Sequence, residues 1–217
     1  IAPALRQQIC VLSGPNLAKE IAQGLPAASV IASSNVATAE RVRELMESSK
    51  FALFTTDDVI GVELGGALKN IIALGAGMID GLNLGDNAKA AFITWGWAEI
   101  VSSGVTLGAR ASTFYGLAGL GDLMATCSST LSRNHHVGYE LAKGRSLSEI
   151  AASMSQVAEG VYTAEAVHQL TKKLNLKAPI IGLIYQILFE DLPINQALIR
   201  FRKLTRSRHQ PSLDKAH

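Results

Sequence analysis

The hydrophobic period of this chain changes once, near residue 57, and that change restricts the folds open to it. Before it, short β-like runs alternate with helical ones: ICVLSG (9–14), a helix over PNLAKEIAQ (15–23), ASVIAS (28–33), a helix over NVATAERVRELMES, then FALFTT (51–56). After it the strand signal stops. Helical patterns follow at 57–80, 87–103, 122–131, 133–143, 147–154, 162–174, 179–189 and 194–205, interrupted by a loop-rich stretch over 104–121.

Punctuation residues support these elements. Pro15 fits a first helical turn and Gly24 a helix exit, while Val36, Val42, Leu45 and Met46 form an apolar stripe. Ser146 with Glu149 makes a capping box, Ser132 can cap a helix ended by Gly144, and Pro179 and Pro193 open the last two helices. The expected fold class is therefore mainly α, with a small α/β remnant over 1–60, a helical domain over 61–205 and a tail over 206–217. Three short strands make a poor sheet alone, so their apolar edges are expected to be badly covered.

At 217 residues and 48% hydrophobic the chain can bury a sizeable core, and a formal charge of +2 argues against nucleic acid or an anionic membrane as a partner. The basic run RFRKLTRSR (200–208) reads as a solvated helix end. Cys10 and Cys127 are too few for a disulfide framework, which fits a reducing cytoplasm. The apolar run APIIGLIYQILF (178–189) falls short of the roughly 20 residues a membrane span needs, and no metal-ligand spacing is present, so no span and no metal are expected.

Chemistry-bearing residues cluster in two segments. In GGALKNIIALGAG (65–77), Lys69 and Asn70 stand almost without other charge. Such a lysine either reaches solvent from a helix or sits in a partly dry pocket, where desolvation and a nearby cation favour the neutral amine and make it a general base. GLAGLGDLMATCSSTLSRN (116–134) adds Asp122 after spaced glycines, a spacing that serves close packing more often than a ligand, and then Ser132-Arg133-Asn134. An arginine fork, an amide and a hydroxyl at a helix N-terminus suit a phosphate dianion, although an ordinary serine cap followed by surface residues has the same pattern. GAGMIDG (75–81) follows a helix pattern and is not read as a phosphate loop, His135 and His136 read as exposed helix residues, and Glu159-Gly160 reads as a turn.

Taken together, LSGPNLAKEIAQGLPAA (12–28), ELGGALKNIIALGAGMIDGLNLGDNAKAAFITWGWAE (63–99), GLAGLGDLMATCSSTLSRNHHVG (116–138) and VAEGVYTAEAV (157–167) resemble the NAD(P)-dependent sn-glycerol-3-phosphate dehydrogenases. The resemblance implies an all-helical substrate domain of the 6-phosphogluconate-dehydrogenase C-terminal-like type, preceded by the remnant of a Rossmann-like domain. It implies Lys69 as proton acceptor, with Asp122 and Asn70 orienting the lysine or the substrate hydroxyls. Ser132, Arg133 and Asn134 correspond to the substrate-binding motif, and Gly14 and Asn16 to positions near substrate. Ala18, Arg133, Val157 and Glu159 match positions that contact NAD or NADP. The family usually has Ser or Thr where this chain has Asn16.

The implied reaction interconverts glycerol 3-phosphate and dihydroxyacetone phosphate, a supply of glycerophospholipid precursor, in a cytoplasmic homodimer. No G-x-G-x-x-G loop precedes the matching segments, so the chain as written is expected to be an incomplete enzyme with little turnover. Two other readings stay open: a noncatalytic helical dimerisation or phosphate-binding module, and a related hydroxy-acid or 6-phosphogluconate-type dehydrogenase. The pairing of GLAGLGDL with SRN argues against the latter.

Overall fold

The computed structural model describes residues 8–129 and 131–207, except the side chain of Ser207. The expected tail beyond Ser207 lies outside them. Three strands and eleven α-helices follow the expected order among the described residues: β1 (Val11–Ser13), α1 (Ala18–Ala22), β2 (Ala27–Ala32), α2 (Val36–Met46), β3 (Phe51–Thr56), α3 (Val59–Gly81), α4 (Asp86–Thr106), α5 (Ala111–Tyr115), α6 (Asp122–Ser128), α7 (Arg133–Ala142), α8 (Leu147–Ser153), α9 (Glu159–Lys173), α10 (Pro179–Phe189) and α11 (Ile194–Ser207). The chain forms two compact units. One takes the residues up to Gly66 with Gly104–Ser128, and the other takes Ala67–Ser103 and the residues from Ser129 on.

In the first unit the sheet order is β1-β2-β3. β1 is antiparallel to β2, with Leu12 opposite Ile31, and β2 is parallel to β3, with Ser29 opposite Leu53. Helix α2 makes the crossover between the parallel pair, as parallel strands require. Its N-cap Asn35 accepts from the backbone N–H groups of Ala37 and Thr38. The buried row on α2 runs through Ala39, packed with Ile31, Leu53 and the half-buried Val42.

The expected stripe is corrected here: Val36, Leu45 and Met46 are 63%, 77% and 47% exposed, because three strands cover only the row through Ala39 and Val42. Phe54 on β3 is exposed as well, in line with the expected poor cover of the strands. Pro15 lies outside α1, whose N-cap is Leu17. The stretch 104–121, read as loop-rich, instead holds helix α5 and closes a π-helical turn over Leu117–Gly121, with the Gly121 N–H donating to the Gly116 carbonyl at 3.1 Å.

Asp58 fastens this unit internally. Its carboxylate accepts from the Gly61 N–H (2.9 Å), the Arg110 N–H (2.9 Å) and the Thr113 hydroxyl (2.6 Å), tying the start of α3 to the entry of α5. Burial alone would raise its pKa, but those three donors and the Arg110 charge outweigh burial and hold it below the ordinary value.

In the second unit α3 is the core helix. Leu68, Ile71, Ile72, Ala73, Leu74 and Ala76 are all buried. By length and composition Val59–Gly81 alone among the described helices could cross a membrane, but most of it is covered by protein, as in the core helix of a folded domain. Helix α7 lies against it in unusually close contact: a Cβ at Gly77 would overlap the His135 carbonyl, and one at Gly138 would overlap the Leu74 carbonyl. Only hydrogen at both positions lets the two backbones meet.

The N-terminus of α10 is capped from a distant helix. Buried Glu99 of α4 accepts from the N–H groups of Ile180 and Ile181 at 2.9 Å, satisfying the first turn of α10 behind Pro179. α8 has the expected Ser146/Glu149 capping box, and Ser132 caps α7.

Two outcomes follow. Gly138→Ala should destabilise the protein by about 1–3 kcal/mol, the usual cost of overpacking, and lower the melting temperature by at least about 2 °C. An unchanged melting curve would show that α3 and α7 separate freely. For Asp58, a depressed folded pKa stabilises the protein above the unfolded value of about 4, and that contribution fades as pH falls through the folded value. Asp58→Asn should therefore lower stability at pH 7, with the gap to wild type narrowing at pH 3. A constant gap in urea melts would show that the carboxylate charge is irrelevant.

Candidate active site

The second unit brings together Asn70, Asn134 and the start of α9. Asn134 Nδ2 donates to Asn70 Oδ1 at 2.9 Å, and Asn134 Oδ1 accepts the Gly160 N–H at 2.8 Å. The backbone N–H can only donate, so the Asn134 amide orientation is set by chemistry. Gly160 has no room for a side chain, since a Cβ would stand 2.7 Å from the Asn70 carbonyl. The residue read as a turn is thus the point where α9 is pressed against α3, and α9 receives through Asn134 the cap that its own N-cap, Ala158, does not supply.

Around this relay, Lys69 is half-buried on α3, Asn134 and Ser132 are buried, and Arg133 is exposed. The Ser132 hydroxyl accepts the His135 N–H at 3.2 Å, so it serves as a helix cap. The Arg133 fork donates to Gln156 at 3.1 Å and pairs with Glu159 at 3.1 Å. Val157, between them in sequence, is 57% exposed. Gln156 carried no sequence signal.

A second cluster was misread from sequence. His135, expected to be exposed, is only 15% exposed at its side chain, and its Nε2 lies 2.7 Å from Asp80 Oδ2. Lys89 of α4 reaches the same carboxylate at 3.0 Å. Burial would raise the Asp80 pKa, but hydrogen bonds from His135 and Lys89 outweigh it and hold it low, and the bond to Asp80 raises that of Lys89. The pairing joins residues fifty-five positions apart, which no local pattern encodes. His136 is exposed as expected.

In the first unit a cleft of about 380 Å³ is lined by Ser13, Gly14, Asn16, Glu63, Gly66 and Asp122, among others. Three sequence-derived positions, Gly14, Asn16 and Asp122, therefore line one cleft. Asp122 is buried at the start of α6 and accepts from the Thr126 hydroxyl at 3.2 Å, and the Asn16 amide donates to Ser29 at 3.4 Å. Ala18, the first residue of α1, is exposed and does not line the cleft. No group of three or more His, Cys, Asp or Glu able to hold a metal occurs among the described residues.

The model of the NAD-dependent glycerol-3-phosphate dehydrogenase C-terminus matches residues 58–199, and that of the N-terminus matches residues 1–39. A glycerol-3-phosphate dehydrogenase [NAD(P)+] of Dehalococcoides mccartyi is 55% identical over 197 residues, covering 91% of this chain and 55% of the relative. One from Geobacter metallireducens is 48% identical over 199 residues, covering 92% and 59%. The crystal structure of the Coxiella burnetii glycerol-3-phosphate dehydrogenase is similar with a TM-score of 0.86 at 40% identity, over 88% of this chain and 59% of that one. The chain thus spans a little over half the length of these relatives.

The relay makes a measurable demand on stability. Asn134→Ala deprives the buried Gly160 N–H of its acceptor and should cost about 1–3 kcal/mol, read as a lower urea midpoint with unchanged slope. An unshifted midpoint would mean that α9 docks without the amide.

Proposed function

The chain belongs to the NAD-dependent glycerol-3-phosphate dehydrogenase family, and from that premise we propose that it carries the substrate-handling residues of an enzyme interconverting sn-glycerol 3-phosphate and dihydroxyacetone phosphate. In this reading residues 1–60 end a dinucleotide-binding α/β domain and residues 61–205 form the helical substrate domain. The separate matches at 1–39 and 58–199 support that division. The observation that carries the functional reading is the Asn70–Asn134–Gly160 relay, which seats the SRN tripeptide against the residue next to Lys69.

Lys69 takes the proton of the C2 hydroxyl during oxidation and returns it during reduction. NAD or NADP, when bound, supplies the hydride acceptor or donor. Asn70 and Asp122 orient the lysine or the hydroxyls. Arg133 and Asn134 hold the phosphate: the guanidinium offers N–H groups beyond those given to Gln156 and Glu159, and the second Asn134 amide hydrogen has no acceptor among the described residues. Gripping the phosphate away from the reacting carbon supplies positioning energy. Gly14 and Asn16 lie near substrate, and Ala18, Val157 and Glu159 near the cofactor, as the resemblance implies.

We place the reaction in the cytoplasm, where the free thiols Cys10 and Cys127 are at home, and assign it to glycerophospholipid precursor supply by a homodimer. The relatives named above carry the glycerol-3-phosphate name, which disfavours a hydroxy-acid or 6-phosphogluconate specificity.

Calorimetric titration of this chain with glycerol 3-phosphate should give heat that Arg133→Ala abolishes. In an enzyme completed with the N-terminal part of the Dehalococcoides mccartyi relative, Lys69→Ala should lower kcat by at least about 10², the usual worth of a positioned acid/base group. An unchanged kcat would place the base elsewhere, and absence of any heat would remove the phosphate assignment.

A further inference from the structure

The Asp80–His135 pair lies outside the set of residues assigned above. Asp80 stands ten residues beyond Asn70 on α3, roughly 15 Å along a helix axis at 1.5 Å per residue, so it is too distant to touch a substrate held at Lys69. Its partner nevertheless immediately follows Asn134.

His135 is fixed through three separate groups. Its N–H donates to the capping hydroxyl of Ser132, its carbonyl occupies the space left by the missing Cβ of Gly77, and its ring Nε2 meets Asp80 at 2.7 Å. With the carboxylate ionised, Nε2 must carry the hydrogen. Asp80 is in turn held from α4 by Lys89, whose ammonium lies 3.0 Å from one carboxylate oxygen and 3.4 Å from Asp86. The charged groups facing the pair are therefore Lys89 and, through it, Asp86. The His135 side chain is 15% exposed and that of Asp80 26%, so the interaction is screened less than a surface pair would be.

Two polar contacts thus pin the first turn of α7 to two separate levels of α3. Asn134 reaches Asn70 and His135 reaches Asp80, ten residues further along α3, with Gly77 between those two positions on α3 and Gly138 one turn further on α7. Backbone contact through glycines is smooth and resists sliding or rotation weakly, whereas a carboxylate aimed at one ring nitrogen does not tolerate a shift of an ångström. Neighbouring residues on a helix point about 100° apart, so fixing both the Asn134 and His135 side chains also fixes the rotation of α7 about its axis.

We propose that Asp80 and His135 are positioning residues for the substrate-binding turn: their pairing sets the rotation and height of α7 on α3, and so holds Arg133 and Asn134 in register with Lys69–Asn70. This rests on the phosphate-holding reading of Arg133 and Asn134. Neither Asp80 nor His135 touches the reacting atoms in it.

The test compares wild type, His135→Ala and His135→Gln of the full chain by two readouts. Gln keeps an N–H donor near the position of Nε2. Amide exchange should show faster exchange at Arg133–His136 in His135→Ala, with α8 and α10 unchanged, and restored protection in His135→Gln. Calorimetry with glycerol 3-phosphate should show binding weakened on the order of tenfold in His135→Ala, the scale of one lost hydrogen bond to a charged group, and recovered in His135→Gln. Unchanged exchange at Arg133–His136 overturns the proposal, and so does a loss of protection spread equally over α8 and α10, which marks general destabilisation. Absence of binding by wild type itself sinks the phosphate reading instead, and the exchange readout still decides the positioning role.

Discussion

The backbone contact between α3 and α7 is the constraint on which the second unit depends. Gly77 and Gly138 each face a carbonyl of the other helix, so the two backbones touch where most helix pairs keep a layer of side chains between them. That closeness brings an amide as short as Asn134 within 2.9 Å of Asn70, and a histidine at the next position within reach of Asp80. Separating the helices by one methyl layer would break both polar contacts together. Packing comes first here, and the polar chemistry is built on it.

Much of this architecture is written in local sequence, for identifiable reasons. Strand and helix alternation, the Ser146/Glu149 box, the Ser132 cap and Pro179 at a helix start are all encoded within a few residues. What could not be read depends on partners far along the chain. The stripe through Val36, Leu45 and Met46 has helical spacing, yet how much of it is buried depends on the width of a sheet that spacing does not reveal. Residues 116–121 look like loop because glycines are rich there. The same glycines permit the wide hydrogen bond from Gly121 to Gly116 that makes a π-helical turn.

The candidate site divides in the same way. Lys69, Asn70 and the SRN tripeptide are conspicuous because polar residues stand among glycines and aliphatics. Gly160 is inconspicuous, yet its N–H fixes the orientation of Asn134, and its missing side chain lets α9 approach the Asn70 carbonyl. Ser132 shows one residue serving local structure first: its oxygen accepts the His135 N–H as the α7 cap, which leaves the hydroxyl hydrogen to donate. Glu159, matched to a cofactor position by resemblance, also steadies the arginine fork that the sequence singled out.

The relay also decides which sign of charge the Asn134 side chain can serve. Its oxygen is committed to Gly160 and one amide hydrogen to Asn70, so the remaining hydrogen-bonding capacity of the NH₂ group is that of a donor. Arg133, next to it, offers only donors, and both lie at the N-terminus of α7, where the helix dipole favours an anion. Swapping the amide oxygen and nitrogen would point a donor at the Gly160 N–H and an acceptor at Asn70, so α9 docking and anion preference are enforced by one hydrogen-bond arrangement. A neutral amide that must stay oriented to keep a helix capped is already organised before any ligand arrives, which is how a site on a rigid helix keeps its donors aimed.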